Sequence, residues 1–291
     1  MIENLSILFD ITQTHSIFLY VSTWVFGLMI GSFLNVVIYR FPIMLKEDWH
    51  QQCLTLQGKK KKSKSFYNLL YPSSCCTHCD KPISPFDNIP LISFILLKGR
   101  CRSCRKMISI RYPFIEMLTG VLFAFASFEF GFHLLMLYAW VFISILIVLT
   151  WIDIDTQLLP DHLTLLLLWL GLFVNLRGNF VDLSSAVIGA IAGYLILWSI
   201  FWVFKIITKK EGMGHGDFKL LAAMGAWMGW QSILPITLLS SLIGSAMGVG
   251  MILLKKHQKS IPIPFGPFLC FAGLIYFFYG YKINHLLLFD F

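Results

Sequence analysis

The stretch His133-Leu134-Leu135-Met136-Leu137-Tyr138-Ala139-Trp140-Val141-Phe142-Ile143-Ser144-Ile145-Leu146-Ile147-Val148-Leu149-Thr150-Trp151-Ile152 contains no Asp, Glu, Lys or Arg. As a helix it is long enough to cross a hydrocarbon core, which takes about 20 apolar residues. Acidic side chains appear where it stops, at Asp153 and Asp155. Other apolar stretches read the same way: Ile17 to Ile38, Phe114 to Phe130, Leu163 to Leu176, Leu183 to Phe204, Leu220 to Trp230, Ile233 to Leu254 and Phe265 to Tyr279. The second and sixth in chain order, Phe114 to Phe130 and Leu220 to Trp230, are short. The chain of 291 residues is 57% hydrophobic and 13% charged, against roughly 45–50% and about 25% in soluble domains. A soluble globule is excluded, as are collagen, coiled-coil, disulfide-scaffold and disordered classes. The expected fold is an all-α polytopic membrane protein with about eight transmembrane helices.

The formal charge is +8. Its confinement to loops argues for a membrane orientation rather than a nucleic-acid partner. With the N-terminus outside, every Lys and Arg except Arg177 and Lys282 falls on the cytoplasmic side, as the positive-inside rule requires. Residues 1–16 contain Glu3 and Asp10 but no Lys or Arg, unlike a signal peptide. The first span is expected to stay in the mature protein.

Three regions follow: 1–40, an N-terminal tail and first transmembrane helix; 41–113, a cytoplasmic loop domain; and 114–291, the remaining membrane domain. The loop far exceeds an ordinary connection and needs its own organisation. Its Lys59, Lys60, Lys61, Lys62 and Lys64 read as a solvated tract near anionic lipid. Cys76 and Cys79 form one C-x-x-C, and Cys101 and Cys104 a second. The 80–100 segment between them is slightly longer than the usual four-cysteine zinc spacing. Two such turns complete a tetrahedron around zinc, and four thiolates leave no open catalytic position. A structural zinc would organise a small zinc-ribbon-like domain without a hydrophobic core. Redox dithiols and idle thiols are the other readings, and Cys75 and His78 compete as ligands. Cys53 and Cys270 read as isolated thiols.

Acids beside transmembrane helices are costly and mark functional candidates. The third span runs into Asp153-Ile154-Asp155-Thr156-Gln157-Leu158-Leu159-Pro160-Asp161, and the fifth is followed by Glu211-Gly212-Met213-Gly214-His215-Gly216-Asp217-Phe218-Lys219. Both face the cytoplasm, so a carboxylate from each can meet at the membrane edge. Two carboxyls held close share a proton, and such a pair hydrolyses a peptide without metal or nucleophile. Glycines before Asp217 leave room for a substrate strand. Asp161 after Pro160 is explained by the helix dipole alone, and Asp155 reads as solvated. His50, His133, His162, His215 and His257 form no pattern with a Ser or Cys nucleophile. Spacing leaves the Asp153 and Asp217 pair open as a structural or catalytic feature.

The chain resembles the type IV prepilin peptidases, aspartic membrane proteases of the GxGD type. The resemblance rests on Gly31-Ser32-Phe33-Leu34-Asn35-Val36-Val37-Ile38-Tyr39-Arg40, both cysteine pairs, Asn88-Ile89-Pro90, Gly99, Tyr112-Pro113 with Glu116, Asp153 through Asp161, Glu211 through Lys219, and Ile263-Pro264-Phe265-Gly266-Pro267-Phe268. One departure is Thr77-His78 inside the first cysteine pair, where a Pro commonly follows the first Cys. The resemblance implies that Asp153 and Asp217 are the catalytic aspartates. It implies cleavage of short basic leaders from prepilins and pseudopilins of type IV pilus and type II secretion systems, at the cytoplasmic face of the bacterial inner membrane. It also implies N-methylation of the new terminal residue with S-adenosylmethionine, Gly99 lying in the associated motif, and so a multifunctional enzyme with prepilin substrates and membrane lipid as partners and no nucleic acid.

The competing classes are a proton-coupled transporter, which predicts acids near mid-bilayer, and a non-enzymatic assembly anchor. Helix dipoles predict that Asp153, at a helix C-terminus, holds the shared proton while Asp217, at an N-terminus, polarises water. Asn35 reads as an interhelical hydrogen bond or a substrate contact, and Arg40 as a snorkelling side chain or a substrate contact. Glu116 reads as dipole-stabilised or as support for the site.

Overall fold

The computed structural model describes residues 2–58, 67–210, 212–253 and 263–286, the side chains of 2–16, Ile252 and Leu286 excepted. The lysine tract Lys59, Lys60, Lys61, Lys62 and Lys64, the motif residue Glu211, and Lys255, Lys256, His257 and Lys259 lie outside the described residues. The described chain is helical and contains no named strand. Its helices are α1 (Ile2–Leu56), α2 (Ile92–Leu96), α3 (Arg111–Phe130), α4 (Leu134–Thr156), α5 (Asp161–Val174), α6 (Leu183–Thr208), α7 (His215–Met228), α8 (Ile233–Leu253) and α9 (Gly266–Leu286).

Each apolar stretch of the sequence coincides with one long helix; α2 is the addition, inside the loop. Among the described residues, five helical segments are long and apolar enough to cross a membrane: Ile17–Leu56, Arg111–Phe130, Leu134–Thr156, Leu183–Thr208 and Trp230–Met251. The first helix overruns its expected end at Ile38, continuing through Pro42 to Leu56. The added segment is rich in good helix formers, and Gln51 Nε2 donates to Glu47 Oε1 one turn back at 2.8 Å.

The chain divides into two compact units, Met1–Val148 and Leu149–Phe291. In the first, α1 packs along α3, and small residues set the approach. A β-carbon at Gly27 would stand 2.7 Å from Gly120 Cα, and one at Gly31 would stand 2.7 Å from Glu116 Cα. Small residues at such crossings let backbones approach where apolar area alone gives no drive to associate. Asn35 Nδ2 donates across this interface to the Tyr112 carbonyl at 3.1 Å, an interhelical bond. Farther along, the Phe123 and Trp140 rings stack at 4.8 Å.

In the second unit, α7 is enclosed by its neighbours. From Leu220 to Met228 each of its residues is buried. Glycine again permits the approach, since a β-carbon at Gly193 would meet Leu221 O at 2.7 Å and one at Gly171 would meet Trp227 Cδ1 at 2.5 Å. The far end of α7 is held by Asn175, whose Nδ2 donates to the carbonyls of Ala226 at 2.9 Å and Trp227 at 3.1 Å. These are terminal carbonyls that the helix itself leaves without partners. Asn175 Oδ1 accepts the Phe180 amide at 3.1 Å. At 14 residues, α7 is only about 21 Å long. Protein surrounds it, and Asp217 lies in its first turn.

Candidate active site and cysteine cluster

Asp153 lies in the last turn of α4, which Gln157, at φ +53, terminates. Asp217 is the third residue of α7, following Gly214 as the N-cap. Its carboxylate accepts the Gly214 amide, as an acid at this position does in a capping box. Asp153 accepts the amide of Gly266, the first residue of α9. Both acids are 5% exposed, and they are close enough for the charge of Asp153 to act on Asp217. One helix C-terminus and two helix N-termini therefore meet at two buried carboxylates.

Leu159 sets the spacing. A β-carbon at Gly216 would lie 2.6 Å from Leu159 Cβ, and one at Gly266 would lie 3.2 Å from Leu159 Cδ1 and 2.5 Å from Asp153 Oδ2. The glycines beside Asp217 and Asp153 thus make room for one leucine wedge and for the carboxylate itself. Helix ends do not assign the shared proton to Asp153: the C-terminus of α4 disfavours its charge, but the N-terminus of α9, whose Gly266 amide it accepts, opposes that, so dipoles do not separate the two acids.

The remaining acids of these motifs sit elsewhere. Asp155 is exposed, and Asp161 pairs with Lys219 Nζ at 2.6 Å. His215 packs against the rings of Phe201 and Phe218 at 5.0 and 5.4 Å. Sequence reasoning missed Cys270, one turn after Gly266. It is completely buried, hydrogen-bonded to Thr150 and within electrostatic reach of both Asp153 and Asp217. Its apolar surroundings in the sequence gave no signal.

In the first unit, the Sγ atoms of Cys76, Cys79, Cys101 and Cys104 all lie within 4.8 Å of one another. Cys76 and Cys104 are 3.8 Å apart, too far for a disulfide. A tetrahedron of zinc–sulfur bonds of about 2.3 Å places its sulfurs about 3.8 Å apart. Among the described residues neither Cys75 nor His78 joins the cluster.

The two turns are copies. Asp80 N donates to Cys76 O as Arg105 N does to Cys101 O, Cys76 N to Lys81 O as Cys101 N to Lys106 O, and Ile83 N to Ser74 O as Ile108 N to Gly99 O. Asp80 and Arg105 both take positive φ, at 53 and 60. The sequence shows no convincing internal repeat; the structure reveals this short one. The amides of Cys104 and Ser103 pull the Cys101 thiol down to about 7. The Lys81 amide favours the Cys79 thiolate, but desolvation and the neighbouring Cys76 and Cys104 push it up to about 11. Crowded sulfurs of this kind suit a divalent cation.

Gly99 has φ +67, and a β-carbon there would lie 3.1 Å from Phe94 Cζ. This packing shapes the second turn. The cavity beside it, about 540 Å³, is lined by Leu96, Leu97, Lys98, Arg100, Cys101, Arg102 and Arg105. Asp87 accepts both Nε and Nη2 of Arg102, at 2.8 and 2.6 Å; this bidentate bond holds the Asp87 carboxyl below its usual range.

Two further motif residues organise the loop. Glu116, 8% exposed, accepts the Leu91 amide at 3.0 Å and bonds Ser32. Arg40 does not snorkel: it is buried and donates to the Asn68 carbonyl at 3.0 Å.

Residues 25–130 match the bacterial peptidase A24 N-terminal domain, and residues 140–249 match the type IV leader peptidase family. The chain is 51% identical over 274 residues to a prepilin leader peptidase/N-methyltransferase of Aeromonas hydrophila, covering 92% of this chain and 93% of that one. Against the protein of the same description from Pseudomonas aeruginosa it is 46% identical, covering 95% and 96%. Against that of Neisseria gonorrhoeae it is 48% identical, covering 87% and 88%. No solved structure matches the chain significantly. The chain is an integral membrane protein with a pair of buried aspartates, and it belongs to the type IV leader peptidase family. Membership does not favour the transporter or the non-enzymatic anchor.

Proposed function

We propose that this chain cleaves the basic leader from prepilins and pseudopilins and N-methylates the new N-terminus, with Asp153 and Asp217 as the catalytic pair. The observation that carries the reading is the meeting of these two buried carboxylates at the ends of α4 and α7, in a chain about half identical to proteins described by both activities. One carboxylate takes a proton from the attacking water while the other, protonated, gives its proton to the carbonyl oxygen. Collapse of the tetrahedral intermediate breaks the C–N bond, and the departing amine takes up a proton. The pair titrates as a unit.

The reading extends to the surroundings. All eight long helices act as membrane elements of the inner membrane, α7 as a sheathed half-length one, and the pair faces the cytoplasm, where a leader would lie. Region 41–113 serves as a zinc-ribbon-like domain in which Cys76, Cys79, Cys101 and Cys104 hold zinc as scaffold. S-adenosylmethionine supplies the methyl group. Gly99 supports that activity by shaping the loop. Mass spectrometry of a prepilin incubated with the purified protein tests the whole. Leader loss should occur with or without S-adenosylmethionine, and a gain of one methyl only with it; an intact precursor in both would refute the reading.

A further inference from the structure

The loop of the first unit exposes apolar side chains beside a basic cleft. Ile92, Ile95 and Leu96 occupy one face of α2 and are 56%, 71% and 76% exposed. Just before α3, Met107 and Ile110 are 78% and 75% exposed, and Met107 is bridged to Arg100. Leu96 also lines the cleft of Lys98, Arg100, Arg102 and Arg105. Soluble surfaces seldom gather so many large apolar groups in so short a stretch, and neither peptide cleavage nor a structural zinc accounts for them.

We infer that this face is a lipid-binding surface, resting on the membrane that holds the protein, with α2 in the headgroup–acyl boundary and the basic cleft on anionic lipid phosphates. Three observations choose this occupant. The loop leaves α1 and returns to α3, both long and apolar enough to cross a membrane, and Ile110 immediately precedes Arg111, where α3 begins. The pattern of apolar side chains flanked by Lys and Arg is that of interfacial segments. Of the cleft's lining groups, Arg102 is engaged by Asp87 and Cys101 belongs to the sulfur cluster, while Lys98, Arg100 and Arg105, with no Asp or Glu among the lining residues, keep the cleft basic, which suits it to a phosphate monoanion.

The test is amide hydrogen exchange of the full chain in detergent, in phosphatidylcholine nanodiscs and in nanodiscs of equal parts phosphatidylcholine and phosphatidylglycerol. Peptides covering 92–110 should exchange several-fold more slowly in the anionic discs than in detergent. The double substitution Arg100→Glu with Arg105→Glu should abolish the extra slowing in anionic discs, and Leu96→Ser with Ile95→Ser should remove it in both discs, while bound metal shows the cysteine turns intact. Equal exchange in all three media overturns the inference. So does slowing that appears only with added prepilin, which would assign the face to substrate, or slowing in discs that ignores both lipid charge and the arginine substitutions.

Discussion

The amide of Gly266 donates to the carboxylate of Asp153, and that carboxylate fills the space a β-carbon at position 266 would need, its Oδ2 only 2.5 Å away. Leu159 closes the other side at 3.2 Å, so the carboxylate has to move. Gly266→Ala should therefore leave the protein inserted and helical but displace Asp153. A displacement near 1 Å costs catalysis on the order of 100-fold. Single-turnover cleavage of a prepilin measures this, and an unchanged rate would show that the contact does not position the acid.

The cysteine geometry makes a metal prediction. Purified protein should carry about one zinc per chain, and Cys76→Ser or Cys104→Ser should lose it. Structural zinc contributes roughly 10–16 kcal/mol in small domains, so the loop should become protease-sensitive between α1 and α3. Elemental analysis with limited proteolysis checks both; full metal content in the Ser variants would contradict the assignment.

Leu91 has φ +57, a conformation that costs a non-glycine residue about 1–3 kcal/mol. The buried Glu116 carboxylate holds it by its amide. Glu116→Ala should release this latch, speeding exchange of the 86–97 segment, and Glu116→Gln, which keeps an acceptor, should restore part of the protection. Uniform slow exchange in the Ala variant would show that the latch is idle.

Asn175 serves the end of α7 and the following turn at once. Asn175→Ala removes the hydrogen bonds to the carbonyls of Ala226 and Trp227 and from the amides of Phe180 and Val181, each worth about 1 kcal/mol. Thermal unfolding in detergent should show a clear loss of stability, with Asn175→Asp between alanine and wild type because it keeps Oδ1 but loses the donor. Identical melting of wild type and the alanine variant would contradict this.

Hydropathy located the helices because membrane spanning imposes a length and an apolar composition that a single sequence displays. The C-x-x-C spacing likewise announced its sulfur cluster. What stayed hidden depends on atoms far apart in the chain. The wedge at Leu159 is visible only when Gly216 and Gly266 are seen to share it, and Cys270 differs from any buried thiol only by its neighbours. The opposing dipole at Asp153 arises from a helix that begins more than a hundred residues later. Arg40 illustrates the same limit: position at a helix end suggests snorkelling, but the Asn68 carbonyl captures it.

The most direct measurement is cleavage of a purified prepilin by Asp153→Asn and Asp217→Asn, each reconstituted and shown to keep its zinc, with methylation of an already cleaved pilin followed in parallel. Each substitution preserves size and removes one titratable carboxyl. Neither variant should release leader, and both should still transfer methyl groups. Wild-type cleavage by either one would remove that aspartate from the chemistry, and with it the water-activating pair.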